Sequence, residues 1–194
     1  MSQLNFSVKN TLPPEKGRIL LSEPFLMDDF FSRAVVLLCD HGSEGSFGFV
    51  MNNYTDMSFI DINPKFPDIP LRVSIGGPVK PEHLYIIHTL DPEQIGGHHV
   101  VDNLYLGGDF EIVLNMVQVN SELMKHVRFF LGYSGWSAGQ LEDELQENSW
   151  LVAPSPSTAY LMDTTQDSIW KDLMQLQGGV YKIMSEFPLD PRMN

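Results

Sequence analysis

Strand-like apolar runs broken by Gly and Pro dominate this chain as far as Leu106, and the first full helical pattern begins at Asp109. A parallel sheet built from βαβ units needs regular alternation, so strands first and helices later argue an α+β fold with a mostly antiparallel or mixed sheet. Strands are expected over 17–21, 34–40, 47–52, 71–75, 84–89, 101–106, 127–131 and 150–153. The turn composition of His41 to Ser46 joins the second and third of these as a hairpin. Residues 24–33 carry Phe25, Leu26, Phe30 and Phe31 at near-helical spacing and read as a short helix or irregular turn. Asp, Asn and Pro suppress regular structure over 55–70, leaving one helical turn at most. Helices are predicted over 109–119, capped by Asp109, then over 138–148, and over 167–177, ended by Gly178-Gly179. Residues 180–184 fit a helix or a closing strand.

Length allows one substantial core, read as a single domain over 17–194 behind a polar arm at 1–16. The formal charge of −13 sets a negative mean field that opposes DNA, RNA and anionic lipid, and the 12 Lys and Arg never form a run. Direct nucleic-acid binding is therefore disfavoured. No apolar run approaches the ~18 residues of a membrane span, and the N-terminus shows no basic segment followed by an apolar one, so a cytoplasmic protein without membrane contact is expected. Cys39 is the only cysteine, which rules out an intrachain disulfide, and its Val-Val-Leu-Leu context predicts an inert core thiol.

Gly135-Trp136-Ser137-Ala138-Gly139 matches G-x-S-x-G between a strand-like run and a helix-like run, the setting of a nucleophile elbow. That fold places its histidine after the serine, and all six histidines here precede Ser137. Without a base a serine hydroxyl is a poor nucleophile. Ser137 to Gln140 also spells S-x-x-Q, a capping box for the helix that follows, with Glu142, Asp143 and Glu144 favoured in its first turns. The cap is the preferred reading, and no catalytic residue is assigned.

Gly76-Gly77-Pro78 is either a tight turn or a place where a ligand meets bare backbone. Adjacent His98 and His99 point to opposite sides of an extended chain and make a poor metal pair, so no metal and no cofactor are expected. Asp109 after Gly107-Gly108 competes for the N–H groups a phosphate would use. His88 reads as a satisfied core histidine, while Arg18, Arg33 and Arg72 could pair with carboxylates or converge on an anion. Tyr133, Trp136 and Trp150 flank glycines, either as anchors for a partner or as fillers of a helix–sheet junction. The candidate ligand or partner surface is Gly76, Gly77, Pro78, Tyr133, Gly135, Trp136, Ser137, Gly139 and Gln140.

The run Gly132 to Glu142 followed by Trp150-Leu151-Val152 resembles the signature of the bacterial YqgE/AlgH family. Gly17 to Pro24 with Phe30 to Leu38, His41 to Asn52, and Gly76-Gly77-Pro78-Val79 with Leu84 to His88 fit the same family in the same order, over about residues 17–180. Ser137 departs from the glycine common there. The resemblance implies a branched, mostly antiparallel sheet curled into a pseudo-barrel, helices concentrated in the C-terminal half, and no established catalytic activity. One branch carries a regulatory label tied to transcription of exopolysaccharide genes. The expectation is a non-enzymatic protein that works through an unknown protein partner, possible indirect transcriptional regulation included. The alternative is a small-molecule binder or enzyme with a pocket walled by the glycine loops.

Overall fold

The computed structural model describes residues 10–26 and 28–188; the first nine residues of the expected arm, Met27 and residues 189–194 lie outside them. Nine strands form among the described residues: β1 (Ile19–Ser22), β2 (Val35–Gly42), β3 (Gly45–Val50), β4 (Val73–Ile75), β5 (Val79–His88), β6 (His98–Val101), β7 (Leu104–Leu106), β8 (Val127–Ser137) and β9 (Trp150–Ala153). Seven α-helices accompany them, with a 3-10 helix at Ser121–His126: α1 (Phe59–Ile62), α2 (Pro92–Ile95), α3 (Phe110–Val119), α4 (Gln140–Gln146), α5 (Thr158–Met162), α6 (Ile169–Leu176) and α7 (Gly179–Met184). The architecture is α+β, with five of the seven helices from Phe110 onward.

The sheet runs β6-β7-β5-β8-β3-β2-β1-β9, antiparallel throughout, and β4 adds parallel to β8. β8 is the branch. Its first half, Val127 to Leu131, lies between β5 and β4, and Ser134 to Ser137 pair with Gly48 to Gly45 of β3. The ends β6 and β9 do not pair, so the sheet stays open. It curls nonetheless. A Cβ on Gly17, just before β1, would lie 2.9 Å from Cβ of Val101 in β6.

Side-chain alternation sorts the apolar residues onto the sheet's two faces. The inner cluster joins Ile19 and Ala153 from one end to Val100 and Leu104 from the other, and α6 fills it with Ile169, Trp170, Leu173 and Met174. On the outer face α1 and α3 cover one patch through Phe59, Val113 and Val117, and α4 covers another through Leu141, over Trp136 and Trp150. Each fully buried Leu, Val, Ile or Phe stabilises by roughly 1.5–3 kcal/mol. Gly132 interrupts the alternation. Its left-handed φ of 65° accompanies a register shift in β5 between Val79 and Leu84, so Phe130 and Tyr133, three residues apart, both pack on the inner cluster.

Two strand expectations are corrected and the open alternatives are resolved. The strand expected over 127–131 continues to Ser137, because β3 and Val79 supply hydrogen-bonded neighbours that local sequence does not reveal. The single strand expected over 101–106 is the hairpin β6–β7, turned at Asp102, whose φ is 49°. The described residues of 24–33 take the irregular-turn alternative, and 55–70 contribute the one helical turn allowed there, α1, anchored by the buried Phe59. Residues 180–184 are helical, within α7. α2 and α5 escaped notice, although Asp91 caps the first with Pro92 at its start and Ser157 caps the second.

Candidate functional site

G-x-S-x-G makes no elbow here. Ser137 is the last residue of β8, exposed, and the left-handed turn comes two residues later at Gly139, whose φ is 79°. Gly139, not Ser137, is therefore the N-cap of α4, which corrects the capping-box assignment. Half of the box survives: Gln140 Oε1 accepts the Ser137 backbone N–H at 3.0 Å. The Ser137 hydroxyl donates to the same oxygen at 3.1 Å instead of receiving a helical N–H.

Gln140 passes the connection inward, donating from Nε2 to Glu144 Oε1 at 2.9 Å. The other oxygen of Glu144 accepts two indole N–H groups, from Trp136 at 2.8 Å and Trp150 at 2.7 Å. Both indoles are buried and meet edge to face at 5.9 Å under α4. One carboxylate thus ties helix, β8 and β9 together.

Gly76 and Gly77 do meet the second glycine segment, backbone to backbone. A Cβ on Gly76 would lie 2.4 Å from the Gly132 carbonyl oxygen, and one on Gly77 2.5 Å from the Ser134 amide nitrogen. Ser134 Oγ donates to the Gly76 carbonyl at 2.9 Å, closing the junction. The close approach that these glycines permit is taken by the chain's own backbone. Pro78 beside them is exposed.

An open groove of about 650 Å³ lies next to that junction on the inner side of the sheet. Phe47, Phe49, Tyr85 and Tyr133 line it as one aromatic group, with ring centroids 5.5–6.4 Å apart in successive contacts. Gly135 and Trp136 also border it, so Tyr133, Gly135 and Trp136 of the candidate surface share one place, while Gly76, Gly77 and Pro78 stand behind it and Ser137, Gly139 and Gln140 sit at the start of α4. Asp40 and Glu44 come to its rim from the β2–β3 side, and Lys80 from the β5 side. Burial pushes the Tyr85 hydroxyl up, helped by Tyr133 and by Glu82.

Elsewhere polar groups serve the fold. His41 Nδ1 lies 2.7 Å from Ser46 Oγ and its Nε2 lies 3.6 Å from Glu142, a serine–histidine–carboxylate chain that sequence order concealed. Ser46 is only 9% exposed, stands opposite Trp136 and borders the groove, and the 3.6 Å between His41 and Glu142 exceeds hydrogen-bond length, so the chain is an incomplete relay. His88 is buried, but its expected satisfaction is corrected: neither ring nitrogen has a hydrogen-bond partner of good geometry among the described residues. It stacks on Tyr105, and burial lowers its pKa against a partial offset from the backbone of Gly96, Leu90 and Gly107. Arg128, which composition gave no reason to single out, is fully buried. It donates to the carbonyls of Leu161 and Met51 at 2.6 Å each and to Ser74 Oγ at 2.8 Å.

Arg18 pairs with Glu15 at 2.8 Å, Arg72 lies 3.7 Å over the Tyr54 ring, and Arg33 donates to the Phe187 carbonyl. The three therefore hold separate partners. His99 Nε2 is engaged with the Asp102 carbonyl at 2.8 Å, and no group of three His, Cys, Asp or Glu among the described residues is arranged to hold a metal. Asp109 caps α3 by accepting the Ile112 N–H. Cys39 is buried, with its thiol pushed up by burial and by Asp40. No described helix is long and apolar enough to cross a membrane.

Comparison with known proteins gives one consistent result. The family described as AlgH-like, DUF179, matches residues 19–182. A UPF0301 protein of Cytophaga hutchinsonii is 38% identical over 180 residues, spanning 92% of this chain and 98% of its own. One from Parabacteroides distasonis is 40% identical over 189 residues, spanning 95% and 94%. In fold, the chain is similar to protein DIP2367 of Corynebacterium diphtheriae, with a TM-score of 0.74 at 22% identity over 93% of this chain and 95% of that one. It is similar also to the AlgH protein of Pseudomonas aeruginosa, with a TM-score of 0.68 at 23% identity over 93% and 98%.

Proposed function

The chain belongs to the AlgH-like family, whose relatives carry no activity in their names, and from that premise we propose a non-enzymatic cytoplasmic protein that binds a partner through its aromatic groove. The observation that carries this reading is the groove itself. Four aromatic rings converge at the mouth of the curled sheet, and an aromatic-lined concavity beside accessible backbone is what partner anchors use. The serine–histidine–carboxylate chain described above reaches the groove through Ser46, but that serine is only 9% exposed and the histidine–carboxylate link of 3.6 Å is too long for a hydrogen bond, so it is a poor candidate for a nucleophile. Regulation of transcription, if the protein takes part in it, runs through such contacts and not through DNA, because the charge of −13 opposes a phosphate backbone.

Gly135 provides the test. It is exposed, its φ is not in the left-handed region, and a Cβ there would come no nearer than 3.2 Å, to a Tyr133 ring carbon. Gly135→Leu should fill the groove and leave the fold intact. A protein captured stoichiometrically by the wild type and lost from this variant supports the reading; a partner retained equally by both overturns it. A groove of this volume also lies within the size range of small-molecule sites. A metabolite that raises the Tm of the wild type and not of Gly135→Leu would replace the protein partner with that ligand.

A further inference from the structure

We infer that the groove receives an arginine side chain on an extended partner segment, the guanidinium lying on the aromatic rings of Phe47 and Tyr133 with Asp40 and Glu44 beside it. The inference rests on the groove being the binding site and adds the chemistry of what enters it.

Three features of the groove point the same way. Its floor is made of ring faces and edges, and Tyr85 and Tyr133 keep hydroxyls that have no hydrogen-bond partner among the described residues. A cation placed over such rings is attracted by their quadrupole, and a guanidinium combines that with planar stacking. The rim carboxylates are exposed and spent only locally: Asp40 accepts the His41 N–H and Glu44 the Ser43 hydroxyl, and neither is ion-paired among the described residues. Glu82 adds negative charge near the Tyr85 hydroxyl. The whole molecule, at −13, steers a basic segment toward itself.

Among the described residues Lys80 is the one cation lining the groove, and its place fixes the direction of binding. It comes from β5, whereas Asp40 and Glu44 come from β2 and the turn before β3, with β8 between the two sides. The guanidinium therefore goes to the carboxylate side, and a backbone carbonyl or carboxylate of the partner segment goes to Lys80. Gly135, exposed in the adjoining wall, leaves room for the segment to lie flat.

The test uses the full chain and two blocked peptides that differ only in charge, one with two arginines and one with two citrullines. The arginine peptide should bind saturably, about tenfold or more tightly than its citrulline counterpart, and should shift the ring resonances of Tyr85 and Tyr133. Asp40→Asn with Glu44→Gln should weaken it about tenfold, while Glu111→Gln, an exposed carboxylate on α3, should leave it unchanged. Equal binding of the two peptides, or binding untouched by the double variant, overturns the cation and leaves the groove standing as a site. Loss of binding in Glu111→Gln overturns it too, since the attraction would then be diffuse. Binding of neither peptide overturns the inference, and the partner loss read from Gly135→Leu then judges the groove separately.

Discussion

Glu144 should be worth far more to this protein than an ordinary half-exposed helix carboxylate. Its Oε2 accepts the N–H of Trp136 at 2.8 Å and of Trp150 at 2.7 Å, and the two indoles are 6% and 1% exposed, so both donors are largely shielded from solvent. A buried donor left unpaired costs about 1–3 kcal/mol, and hydrogen bonds to a charged group lie toward the upper end. Two such donors, eased by some shift of α4, give roughly 3 kcal/mol for Glu144→Ala. Glu144→Gln keeps a carbonyl oxygen in place and should cost about 1 kcal/mol. Urea unfolding followed by tryptophan emission measures both. At this chain length, 3 kcal/mol corresponds to a fall in Tm of about 6–12 °C. The emission of folded Glu144→Ala should also move as the indoles lose their partner. A cost below about 0.5 kcal/mol for Glu144→Ala, or equal costs for the two variants, would refute the reasoning, because either result means that the carboxylate is not the acceptor holding the indoles.

Gly77→Ala should destabilise by about 3 kcal/mol or prevent folding, because its φ of 149° and the 2.5 Å approach to Ser134 N leave a methyl no room; a soluble variant with unchanged urea midpoint contradicts the packing of that junction. His88 has a folded-state pKa lowered by burial, so between that value and the ordinary ~6.5 the unfolded chain takes up a proton that the native state refuses. Stability should then fall with falling pH through that window at up to about 1.4 kcal/mol per unit and be insensitive to this group above pH 7, and His88→Phe should remove that part of the slope. Ser137→Ala removes one exposed hydrogen bond and should cost under about 0.5 kcal/mol. An esterase activity that disappears with it would contradict the assignment of Ser137 to the strand end.

Local rules located the elements whose signals are local. Asp109 announces α3 and does cap it, and Gly178-Gly179 ends α6 where a C-terminal signal belongs. Rules of that kind failed where distant chain decides. Nothing between Gly132 and Ser137 says strand, since four of the six residues are Gly or Ser, Gly132 with a φ of 65° among them; the segment is extended because β3 lies against it. The capping box failed for a related reason, because the turn that starts α4 needs a left-handed residue, and Gly139 supplies it two positions beyond the serine. Within the site, Tyr133 and Gly135 were legible as residues of interest, but their neighbours Phe47, Phe49 and Tyr85 enter only through the β5–β8–β3 pairing and the parity change at Gly132. Arg128 was illegible altogether, since a lone arginine amid Val127 and Phe129 shows its burial only when carbonyls from Met51 and Leu161 arrive from 77 and 33 residues away.

Asn10 lies against the outer side of β9, where its side-chain amide donates to the Trp150 carbonyl at 2.8 Å and accepts the Val152 N–H at 2.6 Å. One side chain thereby imitates the pairing that a tenth strand would make. Lys16 reaches the His99 carbonyl of β6 at 3.2 Å, so a single short stretch of chain touches both end strands of the sheet, which have no further strand partner among the described residues. Shortening the chain past Lys16 would leave two bare strand margins on one molecule, the starting condition for head-to-tail growth into fibres.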